Sequence, residues 1–267
     1  MIREPVVAGR FYNAKRSDLA REVADLSLTV KDRIGAIGVV SPHAGYVYSG
    51  RVAGELFSSI ESKSTYIVLG PNHTGLGKPV GLDDDRTWKT PLGDVKVDGE
   101  MAQKILAGSR HIEKDHLCHD GEHSIEVQLP FIQHFKSDFK IVPIVIAHTE
   151  RRVLKEIGAE LASAINAWKD RVLIVASSDM THYESQELAK KKDALAIEKV
   201  LSLDVDGFIE TVEKNDISMC GFAPTAIMMQ ACIELGAKNA KLIRYRTSGD
   251  VSGDYSSVVG YAGIAIY

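Results

Sequence analysis

The chain has 267 residues, of which 45% are hydrophobic, and its 32 Lys and Arg residues against 36 Asp and Glu residues give a net charge of −4. This size and composition are typical of a globular protein with one large core, so we expect residues 1–267 to form a single domain. The mildly acidic charge argues against nucleic-acid binding, and the absence of an apolar run of about 18 residues argues against a membrane-spanning protein.

Short apolar runs rich in β-branched residues alternate with helical patterns along the chain. In chain order, the runs predict strands over residues 34–40, 65–69, 140–147, 171–176, 241–246 and 256–266. The helical patterns cover residues 17–28, 50–60, 99–106, 121–135, 151–167, 184–201, 204–213 and 224–235. Turn residues within 79–97 predict a hairpin-like insertion, and the Gly, Ser and Asp residues within 248–257 predict a loop. The alternation predicts a three-layer α/β/α fold with helices on both faces of the sheet.

The three cysteines, Cys118, Cys220 and Cys232, do not form the even, closely spaced set that is typical of a disulfide-bonded secreted protein. The N-terminal segment also lacks the apolar stretch of a secretory signal. We therefore expect a reduced, cytoplasmic location.

Three polar segments follow predicted strands directly and carry histidines. His43 and His73 each lie just after a strand, beside proline and glycine residues, and a third segment carries Asp179 and His182. Ligands of open α/β sheets gather in the loops that leave the carboxyl ends of strands, so we expect these loops to meet in one crevice. One histidine in such a loop is more often structural. Two successive strand ends with the same pattern favour metal ligands, since neutral imidazole is the commonest protein metal ligand.

Cys220 is the third candidate metal ligand. It precedes the last predicted helix, and a helix N-terminus lowers the pKa of a nearby thiol and favours the metal-binding thiolate. The alternative is a buried hydrophobic role, which we expect for Cys232 within that helix. His116, Cys118 and His119 could form a separate metal cluster, but their segment is more typical of a loop leading into the next helix.

Candidate proton-transfer groups lie near the start of the fourth predicted helix and in the third histidine loop. His123 and Glu126 are spaced i, i+3, so a helix would place them on one face, and Glu122 would support the helix through its dipole. His123 and His182 are candidates for acid–base catalysis, because imidazole titrates near neutral pH. Asp179 is expected to orient the His182 ring or to support the metal from behind its ligands.

A series of motifs, in this order along nearly the whole chain, resembles the Memo family. They are REPVVAGRFY at residues 3–12, SPHAGY at 41–46, GPNH at 70–73, EHSIE at 122–126, SSDMTH at 177–182 and MCG at 219–221. Memo proteins are similar to class III extradiol dioxygenases, non-haem iron enzymes that open catechol rings with two histidines and a carboxylate. The resemblance implies a dioxygenase-like α/β/α fold with a central mixed sheet.

The resemblance also implies roles for individual residues. His43 and His73 match the two metal-binding histidines, and Cys220 stands where the dioxygenases carry a glutamate ligand. His123 and His182 resemble the pocket histidines of the dioxygenases, one of which acts as acid and base. Because thiolate is a softer ligand than carboxylate, the substitution shifts the metal preference towards copper or zinc. The implied cofactor is a transition-metal ion, with iron or copper favoured and zinc an alternative, and dioxygenase activity does not follow directly.

Three functions fit these residues. The first is a metal-dependent oxidoreductase whose reaction is unidentified, and the second is a non-catalytic adaptor that binds a peptide or small ligand in the same pocket. The third is a zinc-dependent hydrolase, since zinc with an open coordination position activates water. The resemblance further implies a radical-SAM protein and an AMMECR-type protein as partners of prokaryotic members, and phosphotyrosine-containing receptor tails as partners of animal members.

Overall fold

The computed structural model of the chain describes residues 1–147, 150–168 and 171–267. The strands in these residues are β1 (Ile2–Arg3), β2 (Gly38–Ser41), β3 (Thr65–Pro71), β4 (Val80–Leu82), β5 (Thr87–Thr90), β6 (Gly93–Val97), β7 (Glu113–Lys114), β8 (Lys140–Ile146), β9 (Val172–Ser177), β10 (His182–Glu184), β11 (Ala240–Thr247) and β12 (Val258–Ile266). The helices are α1 (Arg16–Leu26), α2 (Tyr46–Ser59), α3 (Gly99–Gly108), α4 (Leu129–Phe135), α5 (Arg151–Asn166), α6 (Gln186–Leu201), α7 (Val205–Lys214), α8 (Phe222–Glu234) and α9 (Gly249–Ser252). Short 3₁₀ helices cover Leu117–His119 and Glu126–Gln128.

The strands form one mixed sheet with a parallel centre. β8, β3, β9 and β2 lie side by side in parallel, so their carboxyl ends share one edge. β12 runs antiparallel to β2, and β10 and β11 both pair antiparallel with β12. On the other side, β6 is parallel to β8, and β5 and β6 form the predicted hairpin. The expected α/β fold with a mixed sheet is confirmed.

Alternating residues of the central strands point to two separate hydrophobic cores. On one face, Val40, Ile67 and Ile174 pack in a core with residues of α3, α5, α6, α7 and α8. On the other face, Val39 and Val68 belong to a core shared with α1, α2 and α4. Residues adjacent in a strand face opposite sides, so strands buried on both faces are apolar throughout. The arrangement gives the predicted three layers.

The largest difference from the sequence prediction lies at residues 121–135. A single helix was expected there, but α4 begins only at Leu129, after an irregular segment and a 3₁₀ turn. Gly121 has a φ of +80°, and the Glu122 carboxylate accepts the backbone N–H groups of His123 and Ser124. These side-chain bonds replace the bonds of a helical first turn, because short-range acceptors compete with helix formation. The predicted i, i+3 helical pairing of His123 and Glu126 is therefore wrong.

Two smaller differences between the predicted and the observed elements lie at the start of α2 and at residues 248–257. α2 begins at Tyr46 rather than at Gly50, which lies inside the helix where α1 approaches: a Cβ on Gly50 would be 2.7 Å from Leu26 Cδ1. The predicted loop at 248–257 contains the single turn α9. In the described part of the chain, no helix is both long enough and apolar enough to cross a membrane.

Candidate metal centre

Three neighbouring parallel strands carry the predicted site loops to the same edge of the sheet. β9 lies between β2 and β3, so the segments that follow these strands start close together. They supply His43 after β2, His73 after β3 and Asp179 after β9. The irregular segment before α4 crosses this edge and adds His123. The carboxyl edge of a parallel sheet is the usual position of a ligand site in this class of fold.

The imidazole rings of His43, His73 and His123 form a cluster. Their centroids are 5.2 Å apart for His43 and His73, 5.6 Å for His43 and His123, and 4.7 Å for His73 and His123. One donor nitrogen from each ring lies within 4.8 Å of the others. His43 is buried, whereas the side chains of His73 and His123 are 35% and 20% exposed, so solvent reaches the cluster at these two rings. Three imidazoles at this spacing could hold a metal ion.

Glu122 anchors His73. Its Oε2 accepts the backbone N–H of His73 at 2.6 Å, and its Oε1 lies 3.0 Å from Nδ1 of the ring. Burial opposes the charged carboxylate, but the hydrogen bonds from His73 and Ser124 and the charge of His73 outweigh it and lower the pKa of Glu122 to about 2. Burial likewise opposes the imidazolium, yet Glu122 raises the pKa of His73. Sequence reasoning assigned Glu122 to helix support and missed this contact, 49 residues away along the chain.

His43 is held at both its backbone and its ring by the end of β9. Its N–H donates to Asp179 Oδ1 at 2.8 Å, and its Nδ1 lies 2.9 Å from Ser177 Oγ. Burial, followed by the neighbouring charges of His73 and His123, lowers the pKa of His43 well below its ordinary value. His43 is therefore neutral at physiological pH, which is the form that binds metal.

Cys220 lies beside His43 but outside the group of mutually close donor atoms. Its Sγ is 3.2 Å from His43 Nε2 and 3.3 Å from the backbone nitrogen of Asp179, which donates to it. Burial and the nearby Asp179 carboxylate raise the pKa of the Cys220 thiol. The expectation that the start of α8 lowers this pKa is therefore wrong for the metal-free protein, because desolvation outweighs the helix terminus. The role of Cys220 as a ligand stays a prediction.

Asp179 and His182 are near each other but are held by different groups. Burial raises the pKa of Asp179 to about 6, against its backbone hydrogen bonds from His43 and Ala44 and the charge of His182. Asp179 was expected either to orient the His182 ring or to support the metal, and the first of these roles is wrong because the ring is bound by another group. Its Nδ1 donates to the Ser218 carbonyl at 2.8 Å, which leaves Nε2 as the accepting atom in the neutral ring. The catalytic roles of Asp179, His123 and His182 stay predictions.

Glu126 makes its hydrogen bonds to the N-terminal segment and holds it in place. Its buried carboxylate pairs with Arg3 and accepts the N–H groups of Val6 at 2.8 Å and Val7 at 3.1 Å. The same segment places Phe11 edge-on against the His123 ring, with centroids 4.9 Å apart. The N-terminal segment is thus one wall of the site.

A second group of possible metal donors was not recognised in the sequence. Asp83, Asp84, Asp85 and His116 each place a donor atom within 4.8 Å of the others. Arg86 bonds Asp83 at 2.6 Å, and Lys114 lies 2.8 Å from Asp84, so two of the three carboxylates already pair with a cation. Cys118 and His119 are not part of it: Cys118 bonds the Asp115 carbonyl, and neither ring nitrogen of His119 has a hydrogen-bond partner among the described residues.

The fold and the site together define an α/β protein with a histidine cluster at the carboxyl edge of a parallel sheet centre. The family model for Memo-like protein matches residues 3–265. The chain is 43% identical over 268 residues to a MEMO1 family protein of Methanosarcina acetivorans, covering 99% of both chains. It is 44% identical over 270 residues to a MEMO1 family protein of Methanococcoides burtonii, covering 99% of this chain and 100% of the relative. The chain therefore belongs to the Memo family.

A solved structure shares the fold at low sequence identity. It is an uncharacterized protein, JW3007, from Escherichia coli K12, with a TM-score of 0.56 and 11% identity. The match covers 85% of this chain and 98% of that one. At this identity the likeness concerns the fold alone.

Proposed function

We propose that this protein binds one transition-metal ion through His43, His73 and His123 and uses it to oxidise a small organic substrate with dioxygen. The observation that carries the proposal is the set of three donor nitrogens within 4.8 Å of one another. Imidazole donors suit iron, copper, nickel and zinc. The oxidation and the choice of dioxygen rest on the resemblance to extradiol dioxygenases.

The donor set fits a metal because two of its rings are already oriented for binding. Nδ1 of His73 is held by Glu122 and Nδ1 of His43 by Ser177, so each ring has its Nε2 left for a ligand role. A carboxylate behind a metal-binding histidine is a frequent arrangement, since it fixes the ring and increases its basicity. Cys220 is a further donor next to His43. A bound metal would supply Lewis acidity and redox chemistry at this position.

The protein's own residues supply the proton-transfer groups. Asp179, with its pKa raised to about 6, exchanges protons near neutral pH. His182 has Nε2 free to accept a proton while Nδ1 stays bound to the Ser218 carbonyl. Asp179 matches a requirement of acid–base catalysis, in which a catalytic pKa near the working pH is favourable, and His182 offers the lone pair of Nε2 as a proton acceptor.

A nucleophilic role for Cys220 with His43 as its base is less well supported. The 3.2 Å contact between Sγ and Nε2 has the length that such a dyad requires. However, burial and the Asp179 carboxylate both favour the protonated thiol, whereas an active nucleophile needs the thiolate. The metal-binding proposal avoids this conflict because a metal ion stabilises the thiolate directly.

Ligand binding without catalysis is a second candidate function. Tyr48 and Tyr183 are exposed next to the site loops, and Tyr183 has a φ of +60°, a conformation that non-glycine residues rarely adopt. Exposed aromatic side chains at the mouth of a site favour binding of a small ligand or peptide. Association with radical-SAM and AMMECR-type proteins is a further proposal, and family resemblance is its basis.

Metal analysis tests the main proposal. Chelator-treated protein is incubated separately with Fe(II), Cu(II) and Zn(II), desalted, and measured by mass spectrometry. We expect about one ion per chain in the wild type and in the control His134→Ala, and loss of the ion in His43→Ala, His73→Ala and His123→Ala. Cys220→Ala shows whether the thiol is a ligand. Equal, negligible metal in all variants and the wild type would refute metal binding.

Oxygen consumption separates the reaction classes. Fe(II)-loaded protein is mixed with catechols in an oxygen electrode, beside the His73→Ala variant. Substrate-dependent consumption in the wild type alone supports the oxidation. Turnover of ester substrates without oxygen in the zinc form would favour a hydrolase, and ligand binding that is unaffected by chelator would favour the adaptor function.

A further inference from the structure

The Ser177 hydroxyl is the centre of a buried hydrogen-bond network behind His43. Ser177 ends β9 and has no exposed surface. Its Oγ lies 2.6 Å from the Ser124 carbonyl oxygen, 2.8 Å from Gln128 Nε2 and 2.9 Å from His43 Nδ1. One proton and two lone pairs on the hydroxyl therefore serve three partners.

The identity of the partners decides where the hydroxyl proton goes. The Ser124 carbonyl can only accept, so it takes the proton of Ser177. The Gln128 amide faces the hydroxyl with its nitrogen, because the same nitrogen donates to the Pro42 carbonyl at 2.9 Å. The reversed amide would place its oxygen against that carbonyl oxygen, so Gln128 donates to Ser177.

The remaining lone pair of Ser177 faces His43 Nδ1. If this nitrogen carried no proton, two lone pairs would meet at 2.9 Å while the hydroxyl proton stayed with Ser124. A buried contact of that kind is unfavourable, because both atoms have lost water and neither has gained a hydrogen bond. The network is satisfied only when Nδ1–H of His43 donates to Ser177. We propose that Ser177 and Gln128 are positioning residues that hold His43 in the tautomer with the proton on Nδ1.

This tautomer leaves the Nε2 lone pair of His43 directed into the site. Nε2 lies 3.2 Å from Cys220 Sγ, on the side opposite the Ser177 network. His73 reaches the same state by a different route, since a carboxylate specifies Nδ1–H without help. A hydroxyl can donate or accept, so Ser177 alone would not specify the tautomer. It does so because its proton is bound to the Ser124 carbonyl and one of its lone pairs accepts from Gln128. Gln128 thus acts on the ring without touching it.

The tautomer is independent of any metal, and its use rests on the proposed metal function. The test is ¹⁵N-histidine NMR of metal-free protein at neutral pH, with the His43 signals assigned by their loss in His43→Ala. We expect a pyrrole-type Nδ1 and a pyridine-type Nε2 in the wild type. The Ser177→Ala variant should show a mixture of tautomers, and Gln128→Leu a smaller shift in the same direction. The control Ser58→Ala removes an equally buried hydroxyl from α2 and should leave His43 unchanged.

A second readout is the affinity for Zn(II), which should fall about 10-fold or more in Ser177→Ala and remain unchanged in Ser58→Ala. If the wild-type spectrum shows the proton of His43 on Nε2, the inference is overturned. This result does not depend on whether any variant folds. An unaltered tautomer in a folded Ser177→Ala protein also overturns the inference. If the wild type shows the expected tautomer but binds no metal, the hydrogen-bond network is confirmed and the metal function is refuted. Failure of the inference and failure of the proposed function are therefore distinguishable.

Discussion

The carboxylate of Glu122 holds both the backbone and the ring of His73, accepting the N–H at 2.6 Å and lying 3.0 Å from Nδ1. A single residue therefore fixes the position and the orientation of a proposed metal ligand. Ser177 and Asp179 do the same for His43 through two groups. The two histidines are thus positioned by hydrogen bonds that involve Glu122, Ser177 and Asp179.

Replacing Glu122 with Gln should weaken metal binding while keeping the fold. Glutamine is similar in size but neutral, and its amide group cannot accept at both ends, so His73 loses part of its support. We expect metal affinity to fall about 10- to 100-fold, measured by competition with a chromogenic chelator. The control Glu113→Gln removes an exposed carboxylate from β7. Equal affinities in Glu122→Gln and the wild type would show that the carboxylate does not support the ligand.

Asp179→Asn should stabilise the metal-free protein at alkaline pH. Burial raises the folded-state pKa of Asp179 to about 6 from an ordinary value of 3.8. The contribution of protonated Asp179 to the free energy of unfolding is therefore complete below pH 3.8, and it is lost as the pH rises through about 6. Asparagine keeps the oxygen that accepts from His43 and Ala44 but has no charge to bury. We expect a gain of about 1–3 kcal/mol at pH 8 and a smaller gain at pH 5.

Urea unfolding at both pH values, with chelator present, measures this difference. Asp94→Asn serves as the control, because it removes a carboxylate at an exposed position of β6. A stability change in Asp179→Asn that is equal at pH 5 and pH 8 would contradict the assigned direction of the pKa.

Glu126→Ala should detach the N-terminal segment. The buried carboxylate pairs with Arg3 and accepts the N–H groups of Val6 and Val7. It also accepts the Tyr12 hydroxyl at 2.6 Å, so its loss leaves one charge and three donors without this partner. We expect a loss of about 3–5 kcal/mol in the free energy of unfolding. Hydrogen exchange of residues 6–12 should accelerate as well, while Glu4→Ala at the exposed pair with Lys89 should change stability by about 0.5 kcal/mol or less. Unchanged exchange in Glu126→Ala would contradict the tether.

Gly70→Ala should displace the segment that carries Glu122 and His123. A Cβ on Gly70 would lie 2.4 Å from Ser124 Oγ and 2.9 Å from Ile125 Cγ1, so that segment must move. We expect a loss of about 1–3 kcal/mol in thermal or urea unfolding, together with weaker metal binding. Gly108→Ala is the control, since a Cβ at the end of α3 meets no atom within 4 Å. Wild-type metal affinity in Gly70→Ala would argue against this dependence.

Local sequence pattern determined the central strands, most of the helices and the places of His43 and His73, but not the short strands β1, β7 and β10. These features depend on short-range periodicity and on proline and glycine at strand ends, and both are visible in the sequence itself. The ordered motifs were sufficient to indicate the Memo family, which the family match over residues 3–265 confirms. The single-domain organisation, the cytoplasmic location and the catalytic roles stay predictions.

Only the tertiary structure decided which residues accompany those two histidines. It placed His123 in the cluster and Glu126 at the N-terminal segment, because side-chain hydrogen bonds of Glu122 replaced the expected helix. It also placed Cys220 beside His43, with Sγ 3.2 Å from Nε2. The contacts that matter join residues far apart along the chain, such as Ser177 and Ser124, which are 53 positions apart. Periodicity encodes which face of an element is buried, but it carries no information about which polar atoms meet across the sheet edge.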